Sequence, residues 1–311
     1  MINRIIIGSR GSKLSIAYTE KAKNLIVNSD QKLKSKILYK KIKTTGDRLN
    51  EKKISEIGGK NLFCKEIEEK LLSKEIDIAI HSLKDLDSYE TAGLKIQAFL
   101  KRNDPREALV SEKKFENLNQ TSSAVIGSSS RRRELQLKLL NNKFKVKNIR
   151  GNVDTRIKKI ESGEYDGAIL AMAGLISLKL EEHVKKIFST KEFLPTAGQG
   201  IIAVQCRSDD EKIKSILNKI NDTETEICAL AERSFLKTIG GDCDTALGCF
   251  AELKDKTIIL KVQLFSDDGK KVFNLSKDGN YKEPTLLGRL LGEEILKKAG
   301  DNFIKKRWIL F

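Results

Sequence analysis

The sequence predicts an α/β protein with largely parallel sheets, continued by a smaller α+β domain. Three observations carry that expectation. Short apolar runs alternate with longer stretches of helical spacing through the first two-thirds of the 311 residues, which is the βαβ alternation of an α/β fold. After QGIIAVQC (199–206) the texture changes to one long helix, a run of strands and a closing helix. Between them, KRNDPREALV (101–110) is polar and holds one of only three prolines, so it reads as a crossover between two lobes near residue 100. At this level the first two-thirds fit one sheet or two.

In chain order, RIIIGSR (4–10) is a strand entering a loop, with a helix from about residue 13 to 26 behind it. KILYKKIKTT (36–45) is a strand, and KNLFCKEIEEKLLSK (60–74) has helical spacing with Leu62, Ile67, Leu71 and Leu72 on one face. EIDIAIHSL (75–83) is a buried strand that ends in a polar cluster. LKIQAFL (94–100), SAVIGSS (123–129), KVKNIR (145–150) and YDGAILAMAG (165–174) are further strands. RRRELQLKLL (131–140) and NVDTRIKKIES (152–162) are the helices between them. ETEICALAERSFLKTI (224–239) is a long helix, FAEL, TIILKVQLF and KKVFNLS are strands, and EPTLLGRLLGEEILKKAG (283–300) closes the chain as a helix.

A chain of this length buries cores that need no covalent staples. Its five cysteines (Cys64, Cys206, Cys228, Cys243, Cys249) are odd in number and unevenly spaced, which is no disulfide framework; with only His81 and His183 there is no zinc pattern either. A reducing, cytoplasmic compartment and no metal are expected. The stretch MINRIIIGSRGSKLS lacks the apolar core of a secretory signal, and no apolar run approaches the roughly 20 residues of a membrane span. The formal charge of +16, from 59 Lys and Arg against 43 Asp and Glu, raises nucleic acid as a partner. Yet the lysines are spread in helix-like patterns such as KKIFSTKEF (185–193) and KKFENLNQ (113–120), which reads as solvated faces, and aromatics are too sparse for a stacking platform. Neither nucleic acid nor membrane is expected as a partner. The arginines instead concentrate near glycines and serines, a pattern that suits small anionic ligands.

Four polar clusters fall at the ends of predicted strands, where open α/β sheets place their ligands. They are GSRGS (8–12), HSLKD (81–85), GSSSRRR (127–133) and RGNVDTR (150–156). GSSSRRR is either an anion site at a helix start or a serine cap on a solvated basic helix. RGNVDTR puts Arg150 at a strand end and Arg156 one turn into a helix that Asn152 is placed to cap; both forks suit carboxylates, or are surface charges. Asp85 is a general acid/base, a stabiliser of positive charge or a plain helix cap, and His81 is part of that cluster or a satisfied core histidine. No nucleotide-binding glycine loop is present, so polycarboxylates fit better than nucleotides. In TIGGDCDTALGC (238–249), Cys243 is either an incidental turn residue or a sulfur in chemical use.

These clusters, in this order, resemble the porphobilinogen deaminase (hydroxymethylbilane synthase) family. The resemblance runs from IGSRGSKLS through TTGD (44–47), GGKNLFCKEIE, DIAIHSLKD, NDPREALV, IGSSSRRRELQL, IRGNVDTR, YDGAILAMAGL, LPTAGQG and AERSFL to GGDCDTALG. It implies two lobes like those of periplasmic binding proteins, with mixed, largely parallel sheets, and a smaller α+β domain. Domain 1 would comprise residues 1–100 and 200–220, domain 2 residues 101–199, and domain 3 residues 221–311. It further implies a transferase of tetrapyrrole (haem) biosynthesis, a cytoplasmic monomer. Such an enzyme polymerises four porphobilinogen molecules head to tail, each losing ammonia, to give hydroxymethylbilane. A dipyrromethane cofactor would be joined to Cys243 by a thioether, with Lys84, Ser128, Ser130, Arg132 and Arg133 as its contacts. Asp85 matches the catalytic aspartate, and Arg10, Ser12, Arg150, Arg156 and Gln199 match the substrate contacts. Because each pyrrole bears acetate and propionate arms, a growing chain needs many cationic partners.

The chain departs from the family pattern at several points. Ser177 stands where an arginine is usual, so one carboxylate contact is missing or is replaced by Lys179; Leu86 and Asp87 follow HSLKD without the usual proline; and Arg131 stands where leucine is common. Ala246 replaces a common proline, Asp244 adds a negative charge beside Cys243 that would raise its pKa, and Glu56 sits where lysine is frequent. The rival readings are a two-lobed anion-binding module and a non-catalytic homologue that loads no cofactor.

Overall fold

The computed structural model describes residues 4–48, 63–113, 115, 118, 123–240, 245–266 and 268–300. Its strands in chain order are β1 (Ile5–Arg10), β2 (Ile37–Ile42), β3 (Ile78–Ser82), β4 (Leu94–Phe99), β5 (Glu107–Val110), β6 (Val125–Gly127), β7 (Lys145–Lys147), β8 (Gly167–Ala171), β9 (Val184–Phe188), β10 (Ile202–Arg207), β11 (Leu247–Lys254), β12 (Thr257–Phe265) and β13 (Val272–Asn280). The chain divides into two compact units, Met1–Asn103 with Gly200–Ala229 and Asp104–Gln199 with Leu230–Phe311.

In the first unit the sheet order is β2-β1-β3-β10-β4. β1 runs parallel to β2 and β3, whereas β10 runs antiparallel to β3 and β4. The strand that arrives late in the chain thus opposes those laid down early, and the sheet is mixed. Helix Lys13–Ser29 buries Tyr18, Ala22 and Ile26, four residues apart and so on one stripe, against Ile5, Ile7, Ile78 and Val204. On another core cluster, Ile67 and Leu71 of helix Lys65–Leu72 meet Ile42, Ile76, Ala79 and Leu94. Leu72, expected on the same face, is exposed: one residue on is about 100° round the helix, and Leu71 already holds the inward position. Leu62 lies outside the described residues.

In the second unit the order is β7-β6-β8-β5-β9, with β6 parallel to β7 and β8 and β5 antiparallel to β8 and β9. Two segments differ from the sequence reading. Residues 107–110, taken as part of a polar crossover, form β5 and are all buried. KKIF (185–188) belongs to strand β9 and not to a helical lysine pattern. β9, like β7 and β2, is an edge strand, and Lys185, Lys147 and Lys41 there are exposed. Lysines on edges block strand-to-strand association, which gives part of the surplus charge a structural use. The antiparallel sheet β11-β12-β13 belongs to the same unit. Helix Pro284–Ala299 lies so close to helix Thr223–Ile239 that a Cβ on Gly288 would strike the Ala231 carbonyl and the Phe235 amide nitrogen.

Candidate active site

In the first unit the expected residues sit at the ends of two parallel strands. Arg10 is the last residue of β1. Its guanidinium donates through Nε at 3.2 Å and Nη2 at 2.5 Å to Oδ1 of Asp47. Ser12 is the N-cap of helix Lys13–Ser29, its Oγ accepting from the Ser15 amide at 3.2 Å. β3 leads into a short 3-10 turn, Leu83–Asp85, which is pinned by the Leu83 amide donating to the Ile201 carbonyl at 3.0 Å. Asp85 is half-buried there, and its carboxylate takes no hydrogen bond or ion pair among the described residues. Its carbonyl oxygen accepts from the Cys64 thiol at 3.4 Å, so the main chain is held while the carboxylate stays available. Lys84 precedes it, half-buried and partnered.

The missing proline leaves a defined loop. Leu86 packs beside Leu83, Ile96 and Phe99, and Asp87 accepts from the Tyr89 amide at 3.2 Å. His81 is the satisfied core histidine: its Nε2 lies 3.1 Å from Gln205 Oε1, and Gln205 donates to Glu68. Burial pushes its pKa down to about 4, against a small opposing effect of the Gln205 bond.

In the second unit, the reading of GSSSRRR as a serine cap on a solvated basic helix holds only for the cap. Ser130 does cap helix Arg131–Leu140, its Oγ accepting from the Arg133 amide at 3.5 Å. Ser128 bonds to the Ser130 backbone and Ser129 to the Ile149 carbonyl, so the hydroxyls are used within the chain. The helix is not solvated at its start, because Arg132 and Arg133 are buried. Their partner is Glu107 on β5, fully buried, which takes Arg132 Nη2 at 2.7 Å on one oxygen and Arg133 Nη2 at 2.8 Å on the other. Arg132 also donates to the Leu194 carbonyl and Arg133 to the Ile169 carbonyl. Burial alone would raise the Glu107 pKa, but the two guanidiniums overcome it and hold the carboxyl at about 2. Arg131, at the leucine position, pairs outward with Glu134 at 2.7 Å.

Arg150 follows β7 and is half-buried; its guanidinium has no partner among the described residues, and its Nε is shielded from solvent. Arg156 donates through Nε to the Gly151 carbonyl at 2.9 Å. Asn152 occupies the N-cap position, but its side chain makes no cap bond. Gln199 is buried and donates to the Pro105 carbonyl at 2.8 Å. Ser177 bonds back to the Ala173 carbonyl at 2.7 Å within its own helix, and Lys179 is exposed in a left-handed cap at φ 57°. Cys243, Asp244 and Glu56 lie outside the described residues. The chain approaches the cysteine from helix Thr223–Ile239, which Gly240 ends at φ 63°. Beyond it, Ala246 packs with Leu135 and Phe265, and Cys249 is buried on β11.

Three carboxylates matter here that the sequence reading passed over. Glu107 and Asp47 hold arginines, and Glu232, fully buried, accepts from the Gly198 amide at 2.6 Å and the Ala251 amide at 2.7 Å. All three lay inside quoted motifs, TTGD, NDPREALV and AERSFL, whose acidic residues were the available signal.

Comparison with known proteins settles the family. The model described as "Porphobilinogen deaminase, dipyromethane cofactor binding domain" matches residues 5–215, and "Porphobilinogen deaminase, C-terminal domain" matches residues 226–297. The chain belongs to the porphobilinogen deaminase family. It is 37% identical over 302 residues to the porphobilinogen deaminase of Coxiella burnetii (strain Dugway 5J108-111), covering 97% of each chain. It is 40% identical over 294 residues to that of Syntrophomonas wolfei, covering 94% of this chain and 95% of the relative, and 36% identical over 297 residues to that of Nitrobacter hamburgensis, covering 96% and 94%. Among solved structures, the periplasmic aliphatic sulphonate binding protein SsuA from Escherichia coli is similar at a TM-score of 0.42 and 14% identity, over 78% of this chain and 76% of that one. That likeness is too slight to add to what the sheet order shows.

As a member of the porphobilinogen deaminase family, the chain is a transferase that polymerises porphobilinogen to hydroxymethylbilane in tetrapyrrole synthesis. It takes a dipyrromethane cofactor. The residues present fit such a group. Arg150 Nε and Arg133 Nε are buried donors without an acceptor among the described residues, and a buried donor left unpaired costs about 1–3 kcal/mol. Acetate and propionate arms are acceptors of the right charge. No helix among the described residues is long and apolar enough to cross a membrane.

Proposed function

We propose that Asp85 is the catalytic carboxylate and Cys243 the thioether anchor of the cofactor. Lys84, Ser128, Ser130, Arg132, Arg133 and Arg150 would meet cofactor or substrate carboxylates, with Arg10, Ser12, Arg156 and Gln199 as further substrate contacts. The observation that carries this reading is the half-buried Asp85 carboxylate, unpartnered among the described residues, on a turn whose backbone is fixed. Loss of ammonia from porphobilinogen leaves an electron-poor methylene pyrrole. A fixed carboxylate beside the pyrrole N–H groups stabilises that developing positive charge without having to reorganise. When bound, the cofactor supplies the primer to which pyrrole units are added. Among the described residues Arg150 offers an unspent fork for a planar carboxylate, and Arg133 keeps one unspent N–H. The hydroxyl oxygens of Ser12, Ser128 and Ser130 accept from backbone amides, which holds the loops from which they would reach a carboxylate.

We further infer a cytoplasmic monomer in which residues 221–311 form a third domain carrying the anchor. Mass spectrometry of the purified protein tests the chemistry. A covalent two-pyrrole adduct is expected, absent from Cys243→Ser; an unmodified wild-type protein, even after incubation with porphobilinogen, removes the anchor. Asp85→Ala is expected to keep the adduct and lose nearly all turnover, and near-wild-type turnover would take Asp85 out of the mechanism.

A further inference from the structure

We propose that Asp47 and Phe63 are positioning residues for Arg10, and that the TTGD turn aims the open edge of that guanidinium at a substrate carboxylate. The inference rests on reading Arg10 as a substrate contact. Arg10 places both Nε and Nη2 on one oxygen of Asp47. The other Asp47 oxygen is held by the Thr44 amide at 3.1 Å and the Thr44 hydroxyl at 2.9 Å. The Phe63 ring covers one face of the guanidinium, its centroid 4.2 Å from the central carbon. The ring in turn rests on Gly46, where any Cβ would fall inside contact distance of it.

One edge and one face of the fork are therefore occupied by the chain itself. Nη1, on the opposite edge, has no partner among the described residues. A guanidinium carries five N–H donors in a rigid plane, so fixing one edge with an anion and one face with a ring fixes where the other edge points. The side-chain entropy of Arg10 is lost on folding and not again when substrate binds. Partial burial opposes ionisation of Asp47, but the Arg10 bond and charge and the Thr44 bonds outweigh it and hold its carboxyl below the usual range. Each residue of TTGD except Thr45 then has a part in the clamp: Thr44 fixes Asp47, Gly46 admits the ring, and Asp47 grips the arginine. Thr45 instead bonds Glu66 of helix Lys65–Leu72, tying the turn to the helix that follows Phe63.

The test is steady-state kinetics with porphobilinogen on variants whose adduct mass matches the wild type. Asp47→Asn and Gly46→Ala are each expected to raise KM about 5–10-fold with kcat within about twofold, the size of a coupled pair broken in a binding contact. Asp47→Asn should add nothing further in an Arg10→Gln background. A lowered melting temperature with KM unchanged in both variants overturns the proposal, as do additive effects in the double variant. If Arg10→Gln itself leaves KM unchanged, the reading of Arg10 fails. If Arg10→Gln raises KM while Asp47→Asn and Gly46→Ala do not, only the positioning inference fails.

Discussion

Glu107→Gln removes the negative charge from a buried Arg–Glu–Arg cluster while keeping its shape. The wild-type carboxyl is held at about 2, against an ordinary value of 4.5. By linkage that difference stabilises the folded state by about 3 kcal/mol at neutral pH, the same order as the roughly 3–5 kcal/mol lost when one partner of a buried ion pair is removed. The sign follows from the lowered pKa. The stabilisation is fully present above pH 4.5 and is lost as pH falls through the folded value near 2. Urea unfolding of adduct-matched wild type and Glu107→Gln at pH 7 should therefore differ by about 3 kcal/mol, and the gap should close on acidification. A difference below about 1 kcal/mol at pH 7 with equal denaturant slopes, or a gap that persists near pH 2, would refute the reasoning.

His81 stays neutral in the folded state down to about pH 4, whereas the unfolded chain takes up its proton near 6.5. Wild type should lose about 3 kcal/mol more stability than His81→Gln as pH falls from 6.5 to 4; parallel pH profiles of urea midpoints would show that burial of the ring is not the cause. Gly288→Ala forces a methyl against the backbone of the neighbouring helix and should cost about 1–3 kcal/mol, with an unchanged thermal midpoint counting against the close approach. Ser12→Ala removes a cap and should cost about 1 kcal/mol in the same melt; no change would mean the Ser15 amide finds water instead.

Most strands and helices were legible because their apolar residues repeat at the period of the element, as Tyr18, Ala22 and Ile26 do. β5 was not, since four buried residues following KRNDPR carry too little periodicity to stand out from a polar run. β9 was masked by lysines whose presence on an edge strand mimics a solvated helix. Site residues were legible as types and not as partners. Arg132 and Arg133 look outward-facing in a run of basic residues, and nothing local announces a carboxylate 25 positions earlier that binds both. Arg10 and Asp47 are 37 positions apart, and only the pairing of β1 with β2 brings the strand end to the turn that follows.

Glu232 carries a consequence for how this family is read across many sequences. Two of its donors are the main-chain amides of Gly198 and Ala251, and every residue but proline supplies one. No exchange of side chain at those positions can compensate for a lost carboxylate, and none is needed while it stays. Position 232 should therefore not co-vary with positions 198 and 251, so these two contacts, which join three distant stretches of one unit, leave no trace in the pairwise statistics of those positions.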